Sequence, residues 1–251
     1  RYVWDDSHKY VRDFNYPRLV KRFIPLFLNY LRLWDEAAAA RPDVFLANSR
    51  FVAERIKKYY RRPAEVIHPP VKTSQFFKVS QPDDYFLLVA RFLPYKKIDL
   101  AIEVFNELNW PLKIIGDGPE KRRLEKMARA NIEFVGLVSE EKLRHFYAHC
   151  RAFIFPQEED FGIAPVEAMA SGRPVIAFRA GGALEFIKEG ETGIFFNDQT
   201  KTSLMEALRC FDNLVFDAAA IQAHARQFDQ EVFKKKIRDF VNQDLISQSN
   251  R

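Results

Sequence analysis

The sequence predicts an α/β protein built on a doubly wound parallel sheet. Three observations lead there. Downstream of about residue 84, short apolar runs alternate with longer amphipathic stretches. The apolar runs are rich in β-branched and aromatic residues and show no in–out alternation, as expected of strands buried on both faces. Helix-period stretches stand between them, which is the pattern of βα units.

In chain order, YFLLVA (Tyr85–Ala90) is a strand. IDLAIEVFNEL follows at Ile98–Leu108, with Leu100, Ala101, Val104, Phe105 and Leu108 on one helical stripe. LKIIG (Leu112–Gly116) is a strand, and EKRRLEKMARA (Glu120–Ala130) a charged, exposed helix. IEFVG is the next strand, and SEEKLRHFYAHC a helix with Ser139 as its N-cap. AFIF is a strand, APVEAMASG a helix ended by Gly172, PVIAF a strand and TGIFF the last strand. EVFKKKIRDFVNQDL, close to the end of the chain, is an amphipathic helix.

The part before residue 84 is less regular. PRLVKRFIPLFLNYLRLWDEAAAA is a long helical run with a candidate interruption at Pro25, and its AAAA (Ala37–Ala40) fits helix propensity. PDVFLANS predicts a strand, SRFVAERIKKYY a helix and AEVIHPPV another strand. Two strands and one long helix do not close a doubly wound sheet. Residues 1 to about 70 therefore read as the C-terminal part of a second, truncated α/β domain, and the chain opens RYVWDDSH without a Met. HPPVKTSQ (His68–Gln75) is the expected linker, because prolines favour extended chain. Residues 71–230 are then the main α/β domain and 231–251 a C-terminal helix.

Composition excludes several classes of function. The 251 residues are 47% apolar and 14% aromatic, with 24 Phe, which rules out a disordered chain. Lys plus Arg number 39 against 34 Asp plus Glu. That mild excess suits anionic small molecules or an anionic membrane surface, and is too even for a dedicated nucleic-acid binder. Two cysteines, Cys150 and Cys210, make neither a disulfide framework nor a metal cluster, which fits a reducing cytosol. No apolar run reaches about 18 residues, so no segment is expected to span a bilayer, and no signal peptide is visible.

Open parallel sheets bind ligands at the carboxyl ends of their strands, so the loops after strands matter most. After YFLLVA, Arg91 leaves the strand directly and Lys96 follows across the Pro94 turn. Two cations on one such loop suit a phosphate clamp; a solvated basic loop is the plainer reading. GDGPE (Gly116–Glu120) is not a dinucleotide fingerprint but a tight turn with Pro119 at the first helical position. Gly136 permits close approach of the backbone, and Leu137–Val138 offer main-chain and apolar contact to a flat base. FPQEEDFGIAPVEAMASG places Glu159 just before a helix, Gly162 at its start and Glu167 about one and a half turns inside it. A helix start favours phosphate, and carboxylates accept hydrogen bonds from hydroxyl groups. A molecule with hydroxyls at both ends and phosphate between them is a nucleotide sugar. Complementing the helix dipole explains Glu158, Glu159 or Asp160 equally well. It explains Glu167 less well, because Val166, Ala168 and Met169 around it look buried. Gly181 and Gly182 permit close approach of a ligand or simply make a loop.

Taken in order, Arg91 with Lys96, GDGP, FVG, EEDFGIAPVEAMASGRPVIA, GG and TG resemble the retaining glycosyltransferases of the group 1 family (glycosyltransferase family four). These have two facing Rossmann-like domains, the GT-B architecture. Glu159 and Glu167 match the family's E-x7-E pattern, and the resemblance covers residues 84 to 230. Upstream, RYVWD and PDVFLANSRFVAERIKKYY…VIHPPV look like the end of the acceptor-side domain in the mannosyltransferase branch, of the type found in O-antigen and polysaccharide assembly. The resemblance implies that Arg91 and Lys96 bind the donor pyrophosphate. Backbone groups at Phe161, Gly162 and Ile163 would hold phosphate or sugar. Glu159 would meet the transferred sugar, Glu167 the ribose, and Gly136 to Val138 would border the base. The family usually has Gly where Lys97 stands, and its Gly-rich first loop has no counterpart here.

The resulting expectation is a retaining hexosyltransferase. It would move mannose from GDP-mannose to a saccharide or lipid-linked acceptor in polysaccharide or lipopolysaccharide assembly. A UDP-sugar donor, or a nucleotide-sugar-binding fragment without catalysis, is the alternative. No metal or other cofactor is expected, since no DxD-type pair or His/Cys cluster stands at a strand end. The expected location is the cytoplasm, with peripheral contact at the inner face of the cell membrane. For RLVKRFIPLFLNYLRLW, basic on one side and apolar on the other, packing against its own domain is preferred to lying on an anionic membrane.

Overall fold

The computed structural model describes residues 4–5 and 18–249; residues 1–3 of the RYVWD stretch and Pro17 lie outside them. The chain divides into two compact units, one of Arg1–Ala47 with Val52–Val66 and one of Asn48–Phe51 with Ile67–Arg251.

In the first unit, helix α1 (Arg18–Ala38) runs on through Pro25 without a break. A parallel pair follows, β1 (Leu46–Ala47) against β2 (Glu65–Val66), bridged by helix α2 (Arg50–Tyr60). Both strands are shorter than their apolar runs predict, because each has a single partner and a two-stranded pair is a weak sheet. Asp35 joins the elements by accepting from Tyr60 Oη at 2.6 Å and Trp4 Nε1 at 2.7 Å. The apolar face of α1 departs from the expected packing. Phe23, Leu26, Phe27, Tyr30, Leu33 and Trp34 are all exposed, from 55% at Trp34 to 69% at Leu33. Among the described residues, no helix is long and apolar enough to cross a membrane.

The second unit holds a six-stranded, all-parallel sheet. Its strands are β3 (Phe86–Val89), β4 (Leu112–Ile115), β5 (Ile132–Gly136), β6 (Ala152–Phe155), β7 (Val175–Phe178) and β8 (Gly193–Phe196). The spatial order is β5-β4-β3-β6-β7-β8. The winding runs outward from β3 on one side and from β6 on the other, so it reverses between these neighbours. Alternate side chains of one strand point to opposite faces, which gives two cores. Phe86, Leu88, Ile114, Ile154 and Ile176 meet α3 (Ile98–Leu108), α4 (Lys121–Met127) and α8 (Lys201–Asp212). Leu87, Ile115, Phe153, Val175 and Ala177 meet α5 (Glu140–His149), α6 (Ile163–Ala170), α7 (Ala183–Phe186) and α9 (Ala218–Ala225). Helix α10 (Gln230–Ser249) closes the described chain. This is a Rossmann-like α/β fold.

Local chemistry sets the boundaries. Ser139 Oγ accepts from the Lys142 amide at 3.3 Å and caps α5. Helix α6 ends ahead of Gly172, which takes φ +71 and donates to Met169 O at 2.8 Å. Helix α4 stops at Met127, three residues short of the expected Ala130. Asn106 on α3 takes both the Met127 carbonyl, at 2.7 Å, and the Arg129 amide, at 3.0 Å. Pro119 lies two residues ahead of α4 rather than at its first position. Residues 68–75 are pinned to the second unit: Val71 is buried and exchanges hydrogen bonds with Phe228 O, at 2.9 Å, and the Gln230 amide, at 3.0 Å.

Candidate functional site

The loops after β3 and β6 lie side by side where the winding reverses, which is where an open α/β sheet leaves a crevice. The GDGP turn braces the first of them. A Cβ at Gly118 would fall 2.6 Å from Phe92 O, and one at Gly116 only 1.9 Å from Ala90 O. The Phe92 amide donates to Asp117 O at 2.9 Å. The backbone on either side of Arg91 is thereby fixed, and the exposed Arg91 guanidinium makes no ion pair among the described residues. A short turn, Pro94–Lys96, then presents Lys96. Lys97 closes it in the left-handed conformation at φ +53, ψ 34. Only glycine adopts that conformation freely, which accounts physically for the glycine usual in the family at this place.

Lys96 Nζ is ion-paired with Glu159 Oε1, joining the β3 loop to the β6 loop. Both side chains are largely buried, 17% and 20% exposed, so the pair is shielded more than a surface ion pair. The Glu159 backbone is held from the other side by the Gly182 amide, which donates to Glu159 O at 2.9 Å. Here the structure decides between the two readings of the GG pair. A Cβ at Gly181 would meet Glu159 O at 2.3 Å, and one at Gly182 would meet Phe161 Cα at 2.3 Å. The close approach that these glycines permit is to the chain's own loop.

Gly162, at φ +109, precedes α6. The Ile163 and Ala164 amides of the first turn have no partner within the helix, while Pro165 has no N–H to offer. Phe161 itself is buried against Phe186 and Phe228. Gly136, at φ +81, has open space where a Cβ would stand, and Leu137 beside it is exposed.

Glu167 does not join Glu159 through a shared partner. Its Oε2 accepts from Tyr147 Oη at 2.9 Å. With Val71, Lys72, Glu140 and Arg144 it lines a cavity of about 350 Å³, to whose lining Glu159 does not belong. Burial pushes the Glu167 carboxyl pKa up, and the Tyr147 hydroxyl opposes that shift. Tyr147 is fully buried, and burial together with Glu167 drives its own pKa well above the ordinary phenol value. Tyr147 is the residue that sequence reasoning missed at this carboxylate. The signal was a large aromatic on the buried side of the otherwise charged helix α5. Among the described residues, no group of three His, Cys, Asp or Glu stands where it could hold a metal ion.

A family model described as "Glycosyl transferases group 1" matches residues 71–213, a span containing Arg91, Lys96, Glu159 and Glu167. The chain belongs to the group 1 glycosyltransferases. Among similar proteins of this family, the O-antigen chain mannosyltransferase C of Escherichia coli is 25% identical over 208 residues, covering 76% of this chain and 54% of that protein. The sulfoquinovosyl transferase SQD2 of Arabidopsis thaliana is 32% identical over 222 residues, covering 84% of this chain and 39% of that protein. The chain spans about half the length of the curated relatives it matches. A solved structure of Anabaena HepE in complex with UDP and glucose superposes with a TM-score of 0.73 at 20% identity. That alignment covers 82% of this glycosyltransferase chain and 64% of the other, and establishes the shared GT-B-type fold.

Proposed function

We propose that this chain carries the donor site of a retaining glycosyltransferase that moves mannose from GDP-mannose to a saccharide or lipid-linked acceptor. The observation that carries the reading is the Lys96–Glu159 ion pair at the winding reversal, with the exposed Arg91 on the same loop as Lys96 making no ion pair among the described residues. Without donor, the two charges neutralise each other. When a nucleotide sugar enters, its pyrophosphate gives Lys96 a better partner, and Glu159 is freed to accept from sugar hydroxyls. Cleavage of the sugar–phosphate bond leaves the electron pair, and growing negative charge, on the departing diphosphate. Lys96, Arg91 and the Ile163 and Ala164 amides are preorganised to stabilise that charge. The sugar carbon, left oxocarbenium-like, takes the acceptor oxygen on the face the diphosphate leaves, which retains configuration. The acceptor proton passes to the diphosphate oxygen. Glu167 accepts from the ribose, and the open side of Gly136 to Val138 borders the base.

No metal enters this scheme, and we expect donor binding to survive EDTA. The mannosyltransferase relative supports mannose as the transferred sugar. The HepE complex with UDP and glucose favours a UDP sugar as the second reading. A cytoplasmic location at the inner face of the cell membrane goes with a lipid-linked acceptor. A module that binds donor but does not turn it over shares the donor site and differs only in showing no transfer.

Thermal melts with GDP-mannose, GDP, UDP-glucose and ADP-glucose separate these readings. A ligand at 100 times its Kd adds about 2.7 kcal/mol. We expect GDP-mannose to raise Tm in the wild type, and Arg91→Ala and Glu167→Ala to lose most of that rise. Stabilisation by UDP-glucose alone would replace the donor, and none by any of the four would remove the donor-site assignment.

A further inference from the structure

A second close contact between polar side chains stands behind the same loop. His68 Nε2 lies 2.8 Å from Glu185 Oε2, with side-chain exposures of 21% and 9%. The other oxygen, Glu185 Oε1, accepts from the Phe51 amide at 3.2 Å. A carboxylate this buried is costly unless its oxygens are satisfied. Burial alone would raise the Glu185 pKa, but His68 and the Arg50 and Phe51 amides together hold it below the ordinary carboxyl value. Glu185 is therefore an acceptor, and Nε2 of His68 must carry the hydrogen between them.

The imidazole ring also meets the loop that leads into α6. It stacks on Phe161, with centroids 5.4 Å apart and planes 25° apart, and meets the edge of Phe228 at 5.3 Å. Phe161 lies two residues after Glu159 and one before Gly162, the residue that opens α6. Glu185 sits three residues after Gly182, whose amide holds Glu159 O. Both ends of the pair thus brace one short loop. Aromatic contacts alone tolerate offset and tilt, so Phe186 and Phe228 would leave Phe161 free to slide. The hydrogen bond to Glu185 fixes the imidazole plane, and with it the surface on which Phe161 rests.

We propose that His68 and Glu185 are a positioning pair that holds residues 159–162 in the conformation that receives the transferred sugar. The proposal rests on the donor-site reading above. The pair acts through Phe161 and the loop backbone, so it governs the sugar end of the donor and not its nucleotide end. His68→Phe keeps the ring against Phe161 but loses the hydrogen bond, His68→Ala loses both, and Glu185→Gln weakens the bond while keeping an acceptor for Phe51.

Two measurements decide it. Hydrogen exchange without ligand should quicken about tenfold or more at Glu159–Gly162 in His68→Ala, which corresponds to ~1.4 kcal/mol of local opening. His68→Phe and Glu185→Gln should fall between it and the wild type, with β3 and β4 unchanged in all three. Unchanged exchange in the loop, or equal quickening throughout the sheet, overturns the proposal. Calorimetry should then show that the affinity of GDP-mannose over GDP, or of UDP-glucose over UDP, falls about tenfold while the nucleotide alone binds as before. Loosening of the loop with an unchanged ratio overturns the proposal too. If the wild type binds none of these ligands, the donor-site reading falls, and the exchange data alone decide whether the pair holds the loop.

Discussion

At the scale of single residues, the two carboxylates of the E-x7-E pattern have opposite electrostatic settings. Glu159 is compensated by Lys96, whereas the half-buried Glu167 has, among the described residues, a neutral hydroxyl as its side-chain partner. On the proposed mechanism, replacing Lys96 by Ala removes a cation that would meet the leaving diphosphate. On that reading, sugar transfer should fall about 10²–10³-fold. Stability should fall as well, because Lys96→Ala leaves the largely buried Glu159 carboxylate without its cation, and melts beside initial rates would separate the two effects. Glu167 makes a prediction about pH. Its folded-state pKa is raised, so its contribution to stability is full below the ordinary carboxyl range and is lost as pH rises through the raised value. Ionised Glu167 is then a cost that a neutral amide does not carry. Glu167→Gln should match the wild-type Tm below the ordinary carboxyl range and exceed it once pH has risen through the raised value, while losing nucleotide stabilisation. A gap that does not grow with pH would show that the Tyr147 hydrogen bond fully offsets burial. Lys97 is the third case. Relief of its left-handed backbone in Lys97→Gly should raise the urea midpoint by the equivalent of about 0.5–1 kcal/mol.

At the scale of elements, loops are held against loops through glycines, and this can be tested by adding one methyl group. Gly182→Ala forces a Cβ to within 2.3 Å of Phe161 Cα, and Gly181→Ala to within 2.3 Å of Glu159 O. Each should cost about 1–3 kcal/mol. Gly190→Ala is the control: it has open space and φ +79, so it should cost only backbone strain of roughly 1 kcal/mol. Denaturant midpoints of the three variants give the comparison. The same contacts mark the limit of what the sequence makes legible. Strands β3 to β8 are readable because each is an apolar run between helix-period segments. The GG pair is readable only as permission for close approach, because its partner, Glu159 to Phe161, is more than twenty residues away. Helices α8 and α9 were missed although Thr200 and Asp217 cap them, with Asp217 accepting from Ala219 at 2.7 Å and Ala220 at 3.3 Å. Both follow the last strand, where alternation no longer points to a helix.

At the scale of the whole molecule, the decisive fact is the strand order, which no local pattern contains. It makes β3 and β6 neighbours and so brings Lys96 to Glu159 across 63 residues of sequence, as it brings His68 to Glu185 across 117. Motif resemblance could point to Lys96 and Glu159 because the order is a property of the fold. It could not point to His68, Glu185 or Tyr147, which matter here only through contacts. The order also concentrates positive charge at one edge: Arg91 and Lys96, with the start of α6 beside them, on a chain of net charge +5. Donor affinity should therefore depend on salt, since the Debye length falls from about 10 Å at 0.1 M to about 3 Å at 1 M. Raising KCl across that range should weaken GDP-mannose, or whichever nucleotide sugar stabilises the chain, by about fivefold, or roughly 1 kcal/mol. Arg91→Ala should bind more weakly at low salt and show a flatter dependence. The uncharged nucleoside, which lacks the diphosphate, should show almost none, because what it gains at the base and ribose is not a contact between charges. Equal salt dependence for nucleoside and nucleotide sugar would mean that the diphosphate does not lie on Arg91, Lys96 and the start of α6.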